Sequence, residues 1–585
     1  MIMKKILSLL LSVLLLAGCY EDLGNYDYTL DSMNEITSVT FTPLVKETVG
    51  GNVIEIQQAL DENDTYRCID VQVEQTLAKD LENLEFYWFR TFVDESGEPV
   101  QDTVRTKGYL EFHLPVAQEM SYNIFLQIYD TTTDLSHYSG FTIKTRPMFK
   151  NSLFVMHGSE GGRRIGNIEV IGDNTNIYSD IKDITDDNNN YKKATGFGYT
   201  TYYNIVPQGD SGHSDVTSVL TIFGSNGETK AYDPHDKMRV KFKSSQIFKP
   251  ESENFSFRRS IQTGPSSNYN LYRVVLTDSG EVYFGNYVHA LYKPGEACGD
   301  SMKAVHQTDY KITAATITNS RFLLWDAKYG RFLYAAKEDA GFALEEASSK
   351  RLGYKAKNPL LNANVSFQGL KRSPADMTAV LGYINYHNYD SYSQQNPYFI
   401  FKDEETGDYY RYELLMQDIG DGSKAKRARV DGVEDVEEEE EVLAAYTIVS
   451  EKMLKNLTPT DMSTITYNSW FTTNNLFFAE GNTVYRYNVS NGDRYVVYEA
   501  PQGYNVTKIK FRTEDSATES GDLGRYMNIV MYNGTNGAIA EIKLTTAADV
   551  DNDFAPLFYE KDANGKNLWG EIKDIIFVHE YIYQE

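Results

Sequence analysis

The feature that most constrains this fold is a recurrence. From residue 153 onward, an apolar run, a Gly- or Asn-bearing turn and a second apolar or aromatic run follow one another seven times. The pairs are 153–157 with 165–171, 219–223 with 229–232, 274–276 with 282–284, and 322–325 with 332–334. They continue with 398–401 and 409–414, 476–478 and 484–487, and 529–532 and 539–542. Start-to-start spacings are 66, 55, 48, 76, 78 and 53, averaging about 63. A four-stranded propeller blade needs roughly 40–50 residues before its loops lengthen. Seven such units predict a β-propeller, most simply seven-bladed, over residues 149–585. A β-helix or a pair of sandwiches is the competing architecture. The last apolar run, 572–578, has no full blade after it and could pair near residue 150 to close the ring.

Before the recurrence lies a different pattern. Residues 37–148 hold short alternating runs at 39–41, 68–73, 84–89, 109–113, 122–129 and 138–143. Six or seven short strands between polar turns predict a β-sandwich of Ig-like type. Trp88 is its expected core tryptophan. The chain is therefore all-β, with a sandwich followed by a propeller. A basic run and then five glutamates mark a solvated acidic insertion near 420–460. Residues 443–457 within it read as a short helix or a plain loop.

The amino terminus fixes location. Lys4 and Lys5 precede an apolar stretch, 6–16, of eleven residues. As a helix it would rise about 16 Å, too little for a bilayer core of about 30 Å, so residues 1–18 are a signal peptide. Leu16-Ala17-Gly18-Cys19 is a lipobox, with Cys19 the lipid-attachment residue; an ordinary secretory signal is the bland alternative. Two or more acyl chains on one residue anchor a protein stably. Residues 19–36 then read as a tether.

Net charge is −27, or −29 once Lys4 and Lys5 leave with the signal. That field disfavours nucleic acid as a partner. With Cys19 lipidated, the other cysteines, Cys68 and Cys298, stand 230 positions apart, too few and too distant for a disulfide framework.

The run Tyr122-Asn-Ile-Phe-Leu-Gln-Ile-Tyr-Asp130, with Ile124, Leu126 and Ile128 at its apolar positions, resembles the signature strand of PKD-type domains. With the lipobox, Cys19-Tyr-Glu21-Asp22 and the Gly24-Asn-Tyr-Asp-Tyr28 tether, the first quarter of the chain resembles Bacteroidetes PKD-like family lipoproteins. The resemblance implies an outer-membrane, lipid-anchored protein. Glu21 and Asp22 resemble the signal that turns such proteins toward the exterior, against a periplasm-facing alternative. It also implies association with SusC/SusD-type uptake systems.

No hydrolase, phosphate-loop or cofactor signature is present. His157 and His579 end apolar runs and are candidates to face a propeller channel, although singly placed histidines are more often structural. Asp549, Asp551, Asp553 and Glu560 have calcium-loop spacing, but Phe554 replaces the turn glycine, so an acidic loop is the stronger reading. Two aromatic stretches suit a glycan or peptide: Tyr386, His387, Tyr389 and Tyr392, and Tyr199 with Tyr202. Both read as long inter-strand segments, and ordinary strand or loop packing is the favoured reading of them. The expected function is non-catalytic ligand binding or transporter docking at the cell surface. A propeller lyase or glycosidase is the alternative, and an adhesive protein the third.

Overall fold

The computed structural model describes residues 34–579 with breaks, the longest at 205–214, 263–272, 293–303, 385–395 and 418–444. The chain divides into two compact units, Met1–Arg146 and Pro147–Glu585. Among the described residues no helix is long and apolar enough to cross a membrane. Cys19, Cys298 and the glutamate run lie outside the described residues, and Cys68 lies on a strand of the first unit.

The first unit is a two-sheet sandwich. Its strands are β1 (Ile36–Pro43), β2 (Val53–Gln57), β3 (Thr65–Gln75), β4 (Leu84–Val93), β5 (Pro99–Val104), β6 (Tyr109–His113), β7 (Ser121–Asp130) and β8 (Leu135–Arg146). One sheet runs β1-β3-β6, the other β2-β8-β7-β4-β5. Alternation on β7 puts Ile124, Leu126 and Ile128 in the core while Asn123 and Phe125 face outward. Trp88 is fully buried and meets Phe141 edge-on at 6.2 Å. Asp130, at the end of β7, is buried yet satisfied: it accepts from Asn34 Nδ2 at 2.8 Å and Thr132 N at 2.8 Å. Burial opposes its charge, but these bonds outweigh burial and hold the carboxyl well below the usual range.

The second unit is a seven-bladed propeller. Blade 1 joins the two ends of the unit: Ile572–His579 pairs antiparallel with Asn151–His157, followed outward by Arg164–Ile171 and Asn174–Tyr178. Blades 2 to 5 begin at the centre with Ala194–Asn204, Phe257–Gln262, Ile312–Ile317 and Thr378–Tyr383. Blade 6 is Asn475–Glu480, Thr483–Asn488 and Arg494–Glu499, with a single bridge from Thr466 to Phe477 on its inner side. Blade 7 begins with Asn505–Phe511.

Six of the seven sequence-predicted hairpins are middle strands of a blade, and in blade 6 the hairpin is the first two of its three strands, inside which only the Thr466 bridge lies. Those strands are buried on both faces because a neighbouring blade packs on each, so they read as continuous apolar runs. Val282, Tyr283 and Phe284 are all fully buried, as are Phe399, Ile400 and Phe401. The cores lie between blades: Leu276 and Phe284 of blade 3 pack with Phe322 and Leu324 of blade 4. Residues 443–457 differ from expectation. Ala445–Met453 is a strand laddered along Tyr409–Gln417 at the outer side of blade 5, where Thr447, Ile448 and Val449 suit extended backbone.

Six inner strands share one irregularity. Each carries a β-bulge against its neighbour at Thr195, Arg258, Thr313, Val380, Thr507 or Lys573. A bulge adds one residue, bends the strand and re-aims a side chain. Because every bulge falls near the start of its inner strand, the six form a ring at one level of the propeller axis.

Inner strands also approach one another closely. A Cβ on Gly382 of blade 5 would lie 2.5 Å from the Ala315 carbonyl oxygen of blade 4. Gly382→Val should therefore cost about 1–3 kcal/mol by overpacking. The check is the urea midpoint of the propeller transition; an unchanged midpoint would show that the two strands separate freely.

Candidate functional site

The inner strands enclose a cavity of about 340 Å³ on the propeller axis, lined by residues from all seven blades. Its walls include Phe197 and Tyr199 of blade 2, Arg258 and Arg259 of blade 3, and Thr313 of blade 4. Val380 of blade 5, Met462 beside blade 6, Lys508 and Lys510 of blade 7, and Asp574 and His579 of blade 1 complete it.

One side of the cavity is a clasp. Asp574 is buried and meets Lys508 Nζ at 3.0 Å and Lys510 Nζ at 2.8 Å. Its second oxygen accepts from the Phe197 backbone N–H at 3.0 Å. Blades 7, 1 and 2 thus meet on one carboxylate. Burial opposes the charge on Asp574, but Lys508 and then Lys510 outweigh it and keep the carboxyl well below the usual range. For Lys508 burial is also the largest influence; it wins over Asp574 and lowers the ammonium from its ordinary value. Arg512 is likewise committed, to Glu541 through bonds of 2.8 and 2.5 Å and to the Tyr526 ring at 4.2 Å.

The neighbouring wall, on blades 3 and 4, is uncommitted. Among the described residues no side-chain hydrogen bond or ion pair is formed by Arg258 or Arg259, which line the cavity. The bulge at Arg258 explains why two consecutive arginines both line the cavity, since regular alternation would send one away. Burial lowers Arg258, Asp278 opposes that, and Arg259 adds to it. Thr313, at the bulge of the next blade, has a buried hydroxyl without a partner, and so does Nδ1 of His579.

The two histidines part ways. His579 lines the cavity; burial and then His235 push it down to about 4, so it is neutral near pH 7. His157 is on the second strand of blade 1 and not among the cavity's walls. Its Nδ1 accepts from Gly570 N at 3.2 Å, so Nε2 carries the proton donated to the Ser179 carbonyl at 2.8 Å. It is a structural residue.

A pH dependence follows from His579. Its folded value lies below the unfolded one of about 6.5, so the unfolded chain takes up the proton first. Its stabilising contribution is complete above about pH 6.5 and declines as pH falls toward 4, by at most about 3 kcal/mol. The melting temperature should drop between pH 7 and pH 5, and less in His579→Gln. Equal drops in both proteins would assign the effect elsewhere.

The aromatic candidates divide as well. Tyr386, His387, Tyr389 and Tyr392 lie outside the described residues. Tyr199 and Tyr202 are not in an inter-strand loop: both lie on the inner strand of blade 2, where alternating Gly and aromatic residues ladder with Asp215–Gly224. Tyr199 is buried, lines the cavity and donates to the His579 carbonyl. Asp549 pairs with Arg486 at 2.9 Å, Asp551 with Arg525 at 3.2 Å, and Glu560 accepts from the Tyr504 hydroxyl at 2.9 Å. Among the described residues no group of three or more His, Cys, Asp or Glu side chains could hold a metal ion. Arg258 and Arg259 were not among the sequence candidates. Their one signal is a charged doublet inside the alternating stretch Phe255-Ser-Phe257-Arg-Arg-Ser-Ile261.

The PKD-like family matches residues 19–197, the sandwich together with the start of the propeller. No curated protein matches the chain. Among solved structures, a quinoprotein alcohol dehydrogenase-like protein from Bacteroides thetaiotaomicron aligns at 8% identity and TM-score 0.35, covering 87% of this chain and 95% of that one. AztD from Citrobacter koseri aligns at 8% identity and TM-score 0.27, covering 85% and 98%. A nidogen/laminin complex aligns at 7% identity and TM-score 0.27, covering 73% and 98%. The seven-bladed architecture rests on the strand pairing itself.

Proposed function

We propose that this chain is a lipid-anchored outer-membrane protein, facing the cell exterior, whose propeller captures a small ligand in its axial cavity for a neighbouring SusC/SusD-type uptake channel. The observation that carries the binding role is the 340 Å³ cavity, which gathers residues from all seven blades and includes two arginines that form no side-chain hydrogen bond or ion pair among the described residues. A volume near the lower end of the roughly 300–1,000 Å³ usual for ligand sites fits a small molecule or the end of a longer one. The lipobox supports the anchor, and the PKD-like match begins at Cys19.

A glycosidase would need two carboxyl groups flanking the substrate. Among the described cavity residues the carboxylates are Asp461 and Asp574. Asp461 accepts from Ser463 N at 2.8 Å to cap a short helical turn, and Asp574 is locked by two lysines. That commitment favours binding over hydrolysis.

The test is purification from intact outer membranes in gentle detergent, with a tag at Glu585 and mass analysis of the Cys19 peptide. Diacylglycerol on Cys19 and co-purification of a TonB-dependent channel are the expected results. An unmodified Cys19 would remove the anchor, and recovery of the protein alone would remove the uptake partnership.

A further inference from the structure

We infer that the axial cavity is an anion site: its ligand carries a carboxylate, sulfate or phosphate group, held by Arg258 and Arg259 with the Thr313 hydroxyl as a neutral donor. The inference rests on the cavity being a binding site, and it names the chemistry that the site selects.

Charge is the first ground. The chain carries −27 overall, yet the described cavity walls hold five cationic side chains, Arg258, Arg259, Lys508, Lys510 and Arg512, against Asp461 and Asp574. A concave site of one sign within low-dielectric walls focuses the field and draws in ligands of opposite sign. Here the sign is opposite to that of the whole molecule, so composition alone does not account for it.

Commitment is the second ground. Lys508 and Lys510 share Asp574, and Arg512 pairs with Glu541, each at 3.0 Å or less. Among the described residues Arg258 and Arg259 have no such counter-ion. Asp278 is the one carboxylate that attracts Arg258, and it forms no ion pair with it, while Arg259 repels. Two adjacent guanidinium groups on the cavity wall that repel each other are stabilised by any anion that bridges them. Guanidinium forks match planar carboxylates and tetrahedral oxyanions through paired bonds.

Geometry is the third. Arg258 and Thr313 occupy the bulge positions of adjacent blades, so both project from the same level of the axis. The Thr313 hydroxyl is buried without a partner among the described residues, and a buried donor left unmade is costly. An oxyanion spanning blades 3 and 4 would satisfy it. The aromatic walls, Phe197 and Tyr199, then meet the uncharged body of the ligand.

The experiment is calorimetric titration of the full mature chain with glucuronate, galacturonate, sulfate and phosphate, with glucose and galactose as neutral counterparts. The same titrations are made on Arg258→Gln/Arg259→Gln, whose fold is checked by an unchanged melting temperature. At least one anion should bind at least tenfold more tightly than the neutral sugars. Its affinity should fall with added chloride and drop tenfold or more in the double variant. A uronate bound where sulfate and phosphate are not assigns the site to acidic sugars; the converse assigns it to inorganic or ester oxyanions. Neutral sugars bound as well as anions, and equally by the variant, would overturn the anion inference while leaving a binding cavity. Failure of every anion at millimolar concentration would overturn it too. Neutral-ligand binding that survives Val380→Trp, which fills the cavity, would instead remove the cavity as the binding site.

Discussion

Truncation after Glu571 should abolish the cooperative unfolding transition of the propeller. The cut removes Ile572–His579, the central strand of blade 1, and leaves Asn151–His157 with one row of backbone groups unpaired. It also removes Ile575, Phe577 and Val578 from buried packing and takes Asp574 out of the clasp. An exposed strand edge flanked by apolar surface is a template for association. The truncated chain should aggregate on gel filtration and lose its main melting transition. The sandwich should keep its own, because no residue of its core lies beyond Ile143. A synthetic peptide of residues 572–579, added during refolding, should restore part of the transition by strand addition. A truncated chain that stays monomeric and melts cooperatively would show that the ring holds without its closing strand.

The second large effect concerns one carboxylate. Asp574→Asn keeps the shape but leaves Lys508 and Lys510 facing each other in the cavity wall without a counter-charge. Removing one partner of a buried ion pair typically costs about 3–5 kcal/mol, and chemical denaturation should show a loss of that size. Adding Lys508→Met and Lys510→Met should return much of it, since well-packed apolar replacements of buried ion pairs are often neutral. No recovery would mean that the lysines matter for something other than this charge. The pH sign is fixed as well. The folded value lies below the unfolded one of about 3.9, so the contribution is full above about pH 4 and disappears as pH falls further. Acid should therefore weaken the propeller in two stages, first through His579 and then through Asp574.

These effects concern residues whose roles were unreadable from their neighbours in sequence. The middle strands of the blades were legible because two-sided burial writes an unbroken apolar run, as in Phe322-Leu-Leu-Trp325. Trp88 and the Ile124, Leu126, Ile128 series were legible because one-sided burial writes a period of two. Inner strands follow neither rule. Lys508 and Lys510 alternate with buried Ile509 and Phe511 like any solvent-facing lysines, and only the fold brings Asp574 between them. Each bulge also breaks the alternation, which hid the strand holding Tyr199 and the arginine doublet of blade 3. Asp574 also accepts from the Phe197 N–H, 377 positions away, and no local pattern encodes such a distance.

The ring of bulges has a consequence for how such a molecule diversifies. A bulged residue is the surplus one, outside the ladder between its strands, so its side chain can change with little effect on backbone pairing. In this chain the six positions carry Thr195, Arg258, Thr313, Val380, Thr507 and Lys573, a mixture of hydroxyl, cationic and aliphatic groups on one scaffold. They amount to an interchangeable collar. Three of them, Arg258, Thr313 and Val380, line the axial cavity, so selection, or a designer, could retune what enters the axis by rewriting three letters while the seven blades stay as they are.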